Sequence, residues 1–76
     1  MEDKYIKIQF GLAVKKFRVS KNISQEKFAE IVGLHRTYIS EVERGTRNVS
    51  LINIVKIAEG LEIKTSELFL EIEKEI

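Results

Sequence analysis

Apolar residues Ile6, Phe10, Ala13, Val14 and Phe17 recur at helical spacing, with Lys7, Lys15 and Lys16 between them. The pattern predicts one amphipathic helix from about Tyr5 to Lys21. Tyr5 to Phe10 also alternates apolar and polar, which leaves a strand open there, although nothing nearby offers a hairpin partner. Ser24 is a good N-cap, Glu26 suits the positive end of a second helix, and Phe28, Ala29, Ile31 and Val32 supply its apolar face. That helix should stop at Gly33, because glycine enters the left-handed turn conformation cheaply. A third, short helix is expected from Arg36 to Arg44, with Ile39 and Val42 inward and Gly45 at its end. Ser50 then caps a fourth helix through Glu59, closed by Gly60, in which Leu51, Val55 and Ala58 read as the inward stripe. Thr65 or Ser66 caps a fifth, with Leu68, Phe69, Ile72 and Ile76 on one side. The prediction is all-α: one compact five-helix domain over residues 1–76, without linker, repeat or low-complexity segment.

Size sharpens this picture. The chain has 76 residues and a mass of about 8.8 kDa. A chain this small buries only about 60% of its unfolded surface, so a second copy is a natural source of further burial. There is no cysteine and a single histidine, which removes thiolate nucleophiles, disulfides and the usual zinc ligand sets. No metal or cofactor is expected. The net charge of +1 argues at first against nucleic acid. Resolved along the chain, however, ten basic residues face six acidic ones through Ser50, and three face six beyond it, giving +4 and then −3. Such segregation suggests different partners for the two parts. The acidic amino terminus, Met1-Glu2-Asp3-Lys4, has no signal-peptide character, and the longest uncharged run, Asn48 to Val55, is far short of a membrane span. A cytoplasmic protein with no membrane partner is expected.

Residues 24–45 carry the chemistry. Two short helices flank a glycine turn, with the small Ala29 where they must approach closely, and a helix-turn-helix over residues 25–44 needs that arrangement. Together with Arg47 to Leu51 and Ala58 to Leu61, this stretch resembles the lambda-repressor-like, Cro/Xre helix-turn-helix family from about Phe10 to Phe69. Within that family, Arg36-Thr37-Tyr38-Ile39-Ser40, Glu43-Arg44-Gly45 and Arg47-Asn48 are similar to controller proteins of restriction-modification systems. At about 100° per residue, Ile39, Val42 and Glu43 face inward while Thr37, Glu41 and Arg44 face out beside Ser40. The outward set is free for a DNA groove. Arg36 lies closer to the core side by angle, but at the helix start its long side chain can still swing to a base edge and grip guanine O6 and N7 bidentately. Thr37 and Ser40 can donate or accept, and the Thr37 methyl can meet thymine. Tyr38 either packs on a sugar or base step or covers the core. Glu41, the weakest base-contact candidate, either accepts from cytosine N4 or repels phosphate in a wrong register. The resemblance implies phosphate contacts at Ser24 and Gln25, where a helix N-terminus favours anions, and at Arg44, Arg47 and Asn48. It also implies a largely buried ion pair between Arg18 and Glu43. His35 stands where the family often has a small capping residue.

One helix-turn-helix makes few contacts, and the family usually binds as a two-fold dimer on a palindrome. Ile52 and Leu70 are apolar on faces that should otherwise be wet. With Ile76, they are the expected dimer contacts within residues 50–76. The resemblance therefore implies a homodimeric transcription regulator of double-stranded operator DNA, the controller of a restriction-modification system. Glu67, Glu71 and Glu73 offer an acidic surface for contact with RNA polymerase when the dimer activates. An antitoxin of the same fold and a helical interaction module are the alternatives. An enzyme is disfavoured: Ser40 and His35 are poorly placed as a nucleophile and base, and no phosphate-cradling glycine loop exists.

Overall fold

In the computed structural model, which describes residues 2–74, the helices follow in the expected order. They are α1 (Asp3–Ser20), α2 (Gln25–Val32), α3 (Arg36–Arg44), α4 (Leu51–Gly60) and α5 (Thr65–Glu73), and no strand occurs among the described residues. The alternation at Tyr5 to Phe10 is part of α1, which starts two residues before the apolar pattern does; Asp3 lies in its first turn, where a carboxylate complements the helix dipole. Two caps are formed as read. Ser24 Oγ accepts from the Lys27 N–H at 3.0 Å, and Ser50 Oγ accepts from the Asn53 N–H at 3.2 Å. Such caps contribute about 1 kcal/mol each. Gly33 and Gly45 adopt φ of 71° and 76° and terminate α2 and α3 as expected.

The later elements depart from the sequence reading in three ways. Neither Thr65 nor Ser66 caps α5: the N-cap is Lys64, whose backbone N–H donates to the Glu67 carboxylate at 3.0 Å. Lysine has no side-chain acceptor, so only this reciprocal half of a capping box can form. Gly60 is the last residue of α4 rather than a left-handed stop, and Glu62 takes the positive φ, 59°, instead. Gly60 serves packing, since a Cβ there would lie 2.2 Å from Val32 Cγ1 and 3.1 Å from Phe28 Cε1. The inward stripe of α4 consists of Ile57 and Ala58 with half-buried Ile54. Leu51 and Val55 face outward, and Phe69 of α5 is also more exposed than expected.

Phe28, Ile39, Ile57, Leu61, Leu68, Val14 and Val42 form the fully buried centre. Around it α1 packs on α3 and α5, α2 on α3 and α4, and α4 on α5. α1 is thus a spine to which the third and fifth helices are fastened. At its outer edge Lys16 bonds to Glu71, which also accepts from Lys74 at 3.1 Å. These bonds, Lys16's first, lower the Glu71 carboxyl pKa from its ordinary value. On the inner face, Gly11 lets the α1 backbone lie directly against the carboxyl end of α3. A Cβ there would meet the Val42 carbonyl oxygen at 2.3 Å and that of Glu43 at 2.8 Å.

The contact at Gly11 fixes the sign of a substitution. In an unconstrained helix interior, glycine to alanine adds about 0.5–1 kcal/mol of stability. Here the added methyl meets backbone that cannot rotate away, so Gly11→Ala should lose about 1–3 kcal/mol, the usual cost of overpacking. Urea unfolding showing a stabilised Gly11→Ala variant would contradict the close approach.

Candidate nucleic-acid interface

The orientation of α3 is set from inside. Arg18 Nε donates to Glu43 Oε2 at 2.7 Å and its Nη2 to Glu43 Oε1 at 3.0 Å, a two-pronged pairing of guanidinium and carboxylate. Arg18 Nη1 donates to the Ile23 carbonyl at 2.7 Å, and Gln25 Nε2 donates to Glu43 Oε1 at 2.9 Å. Both charged residues are buried, and no buried side-chain polar atom among the described residues lacks a partner. One network therefore ties α1, the α1–α2 turn, the first turn of α2 and the last turn of α3. The expected Arg18–Glu43 pair is present. Gln25, expected at phosphate, is half-buried and gives one amide proton to Glu43, with its second still available at the α2 N-terminus.

Outward from this network, Arg36, Thr37 and Arg44 are exposed, while Ser40 and Glu41 are half-buried on the same side of α3. Arg36 has no hydrogen-bonded or ionic partner among the described residues. Arg44 Nη1 donates to Ser40 Oγ at 2.9 Å, and Arg47 Nε donates to Glu41 Oε1 at 2.9 Å. Tyr38 does cover the core in part, but it also bridges outward. Its hydroxyl accepts from Asn53 Nδ2 at 3.1 Å, and the Arg47 guanidinium lies 4.9 Å from its ring centroid, within cation–π range. Ser24 and Asn48 are exposed. Ser24 spends its acceptor on the cap and keeps its hydroxyl proton to donate. His35 occupies the N-cap of α3 without a side-chain capping bond. Along α3, Arg36 therefore stands at one end and Arg44 at the other, with Arg47 just beyond it on the following loop.

Residues 14–68 match the helix-turn-helix family. The control protein C.MunI of Mycoplasma sp is 56% identical over 71 residues, 92% of this chain and 96% of that relative. In the solved structures, the restriction-modification controller protein C.AhdI from Aeromonas hydrophila matches with a TM-score of 0.80 at 48% identity, over 82% of this chain and 94% of its own. The controller C.Esp1396I, as a tetramer in complex with its natural 35 base-pair operator, matches with a TM-score of 0.85 at 34% identity, over 92% of each chain. The chain belongs to the helix-turn-helix family, among the restriction-modification controller proteins. The family expected from residues 24–45 is confirmed, as is its five-helix fold. No described helix is long and apolar enough to cross a membrane.

Two features of this helix-turn-helix face were not evident from the sequence. Asn53, on α4, anchors the Tyr38 hydroxyl, and Glu41 is engaged by Arg47 across the α3–α4 loop. The only available signal was the opposite charge of Glu41 and Arg47 on either side of a terminating glycine, which does not fix the loop path. The buried network yields a sharper expectation. Arg18→Met should cost about 3–5 kcal/mol, because the Glu43 carboxylate is left buried without its counter-charge. Arg18→Met combined with Glu43→Leu should recover most of that loss. Chemical denaturation of the two variants checks both statements, and a loss below about 1 kcal/mol for Arg18→Met would contradict the pairing.

Proposed function

We propose that this chain is a sequence-specific, DNA-binding transcription regulator that acts as a homodimer on a palindromic operator, in the controller role of a restriction-modification system. The observation that carries the reading is the outward face of α3, bearing Arg36, Thr37, Ser40 and Glu41, held at a fixed angle by the buried Arg18–Glu43 pair. The 56% identity to a control protein favours this role over an antitoxin. Arg36 reads guanine, Thr37 and Ser40 read neighbouring base edges, and Tyr38 packs against the sugar or base step beside them. Ser24, Gln25, Arg44, Arg47 and Asn48 hold the phosphates on either side and so set the register. Activation would further require a surface for RNA polymerase. Of Glu67, Glu71 and Glu73, Glu71 is already engaged by Lys16 and Lys74 and Glu67 by the α5 cap, which leaves Glu73 as the one of the three to offer such a surface.

Two copies follow from the reach of α3. Its nine residues span about 13 Å, which covers about four base pairs at 3.4 Å each. Such a short word cannot single out an operator, whereas two copies with groove helices about 34 Å apart double it. The surface available for pairing is broader than Ile52 and Leu70. Those two are 69% and 57% exposed, and Leu51 is 76% exposed beside them, with Val55 and Phe69 also accessible. Phe69 borders an apolar groove of about 440 Å³ between the start of α1, α4 and α5, lined also by Ile6, Phe10, Ile54 and Ile72. Ile76, the remaining expected contact, lies outside the described residues. We assign the α4–α5 face to self-association.

Selection of bound sequences from a random duplex pool should enrich a palindrome, and binding to it should weaken steeply with salt. Arg36→Ala should cost about 1–3 kcal/mol per half-site contact and relax the preference at one position in each half-site. Absence of enrichment at any salt would leave only the interaction-module reading. For the dimer, Ile52→Asp with Leu70→Asp should shift sedimentation at micromolar protein to the monomer; unchanged sedimentation would place the interface elsewhere.

A further inference from the structure

Arg47, assigned above to a DNA phosphate, is already occupied. Its Nε is 2.9 Å from Glu41 Oε1, and its guanidinium stands 4.9 Å from the Tyr38 ring centroid. The loop that returns it to α3 is fixed at the same residue. The Glu41 carbonyl accepts from the Thr46 N–H at 3.0 Å and from Thr46 Oγ1 at 3.1 Å. The Glu41 side chain retains 29% of its exposure and that of Arg47 50%, so the pair sits at the surface with the carboxylate the more enclosed partner. A carboxylate and a phosphate offer the guanidinium the same thing, a pair of anionic oxygens. Glu41 therefore occupies the role that DNA would otherwise fill.

Arg44 provides the internal contrast. Its partner is the neutral Ser40 hydroxyl at 2.9 Å, and moving from that hydroxyl to a phosphate leaves no charge behind. When Arg47 moves to a phosphate it leaves a carboxylate on the groove-facing side of α3, next to a polyanion. On an arbitrary duplex this exchange gains little. Where a cytosine amino group lies opposite Glu41, the freed carboxylate is received by a donor and the exchange is favourable.

Resting on the DNA-binding reading above, we infer that Glu41 is a specificity-determining residue. It holds Arg47 as an internal substitute for a DNA phosphate, and releases it productively only where a base-edge amino group takes up the freed carboxylate. Its chief effect is to suppress binding to wrong sequences.

The test compares the full-length chain with Glu41→Gln, Arg47→Gln and the double variant. Each is titrated against the selected operator and against an unrelated duplex of equal length, over a range of salt. All four should give native circular dichroism, since both side chains are partly exposed. Glu41→Gln should bind the unrelated duplex about tenfold more tightly, as expected for two freed surface ion pairs in a dimer. Its salt slope there should steepen by about one per subunit. The operator affinity should not rise in step, so discrimination falls, and repeated selection with Glu41→Gln should lose a cytosine preference at one position per half-site. In the Arg47→Gln background, Glu41→Gln should tighten binding to the unrelated duplex by clearly less than about tenfold, because only the diffuse repulsion of the carboxylate is then removed. Equal tightening in that background would show a diffuse charge effect and overturn the inference. So would an unrelated-duplex affinity that Glu41→Gln does not alter. A wild-type chain that selects no duplex at all would instead remove the DNA-binding reading, and this inference with it.

Discussion

α3 is a poor helix to hold by hydrophobic contact alone. Of its nine residues only Ile39 and Val42 are buried apolar side chains, with Tyr38 half in. Two apolar positions about 60° apart around the helix say which side of α3 is inward but offer little area to fix its tilt and depth. The Arg18–Glu43 pairing supplies the missing constraint. It is two-pronged, Arg18 Nη1 also donates to the Ile23 carbonyl, and Gln25 of α2 shares the same carboxylate. Burying two charges is expensive, and a buried ion pair is weak evidence for net stability. What it provides here is angle: α3 cannot rotate or slide without stranding a carboxylate, and α2 cannot leave without stripping one of its donors. Gly11 adds the corresponding distance, since α1 and the end of α3 meet backbone to backbone. Every outward residue of α3 takes its direction from this arrangement.

The parts of the fold legible in the sequence are those decided within a few residues. Ser24 and Ser50 cap the helices they precede, and Gly33 and Gly45 end the helices before them, because these choices depend on one side chain and one turn of backbone. The start of α5 was misplaced because a backbone N–H and Glu67 perform the capping that a hydroxyl was expected to perform. Gly60 was misread because its reason is tertiary: Val32 and Phe28 of α2 lie where its Cβ would be. The direction of α4 was hard for a different reason. Leu51, Ile52, Ile54, Val55, Ile57 and Ala58 leave it apolar nearly all round, so the pattern admits more than one inward face, and packing against α2 and α5 selects Ile54, Ile57 and Ala58. The outward set of α3 was legible because Ile39 and Val42, flanked by charged and hydroxyl residues, admit one orientation. The pairings of Arg47 with Glu41 and of Asn53 with Tyr38 were not, because they depend on the path of a loop.

Charge distribution takes on a different meaning once the pairs are visible. The basic portion through Ser50 carries +4, yet five of its ten cations are opposed by a carboxylate. Arg18 is internal, Arg47 is neutralised by Glu41, Lys16 by Glu71 and Lys27 by Glu30, while Lys21 lies 4.0 Å from Glu62. Long-range attraction to a polyanion grows with unopposed charge and is screened over about 8 Å at physiological salt. The chain therefore presents a modest field and a few local cations, chief among them Arg36 at the start of α3.

That combination bears on how so small a regulator can be selective. Non-specific affinity for DNA is almost wholly electrostatic, whereas discrimination arises from contacts that succeed at one sequence and fail at others. A protein with a large basic surface gains the first without the second and is distributed over the whole chromosome. Pairing about half of the cations internally lowers the common background and leaves the differences between sequences intact. With no second domain among the described residues to add contacts, lowering that background is the cheaper route to a high ratio of specific to non-specific binding. The near-zero total charge is then consistent with DNA recognition, because in the proposed reading the outward residues of α3, not the overall field, carry the selectivity.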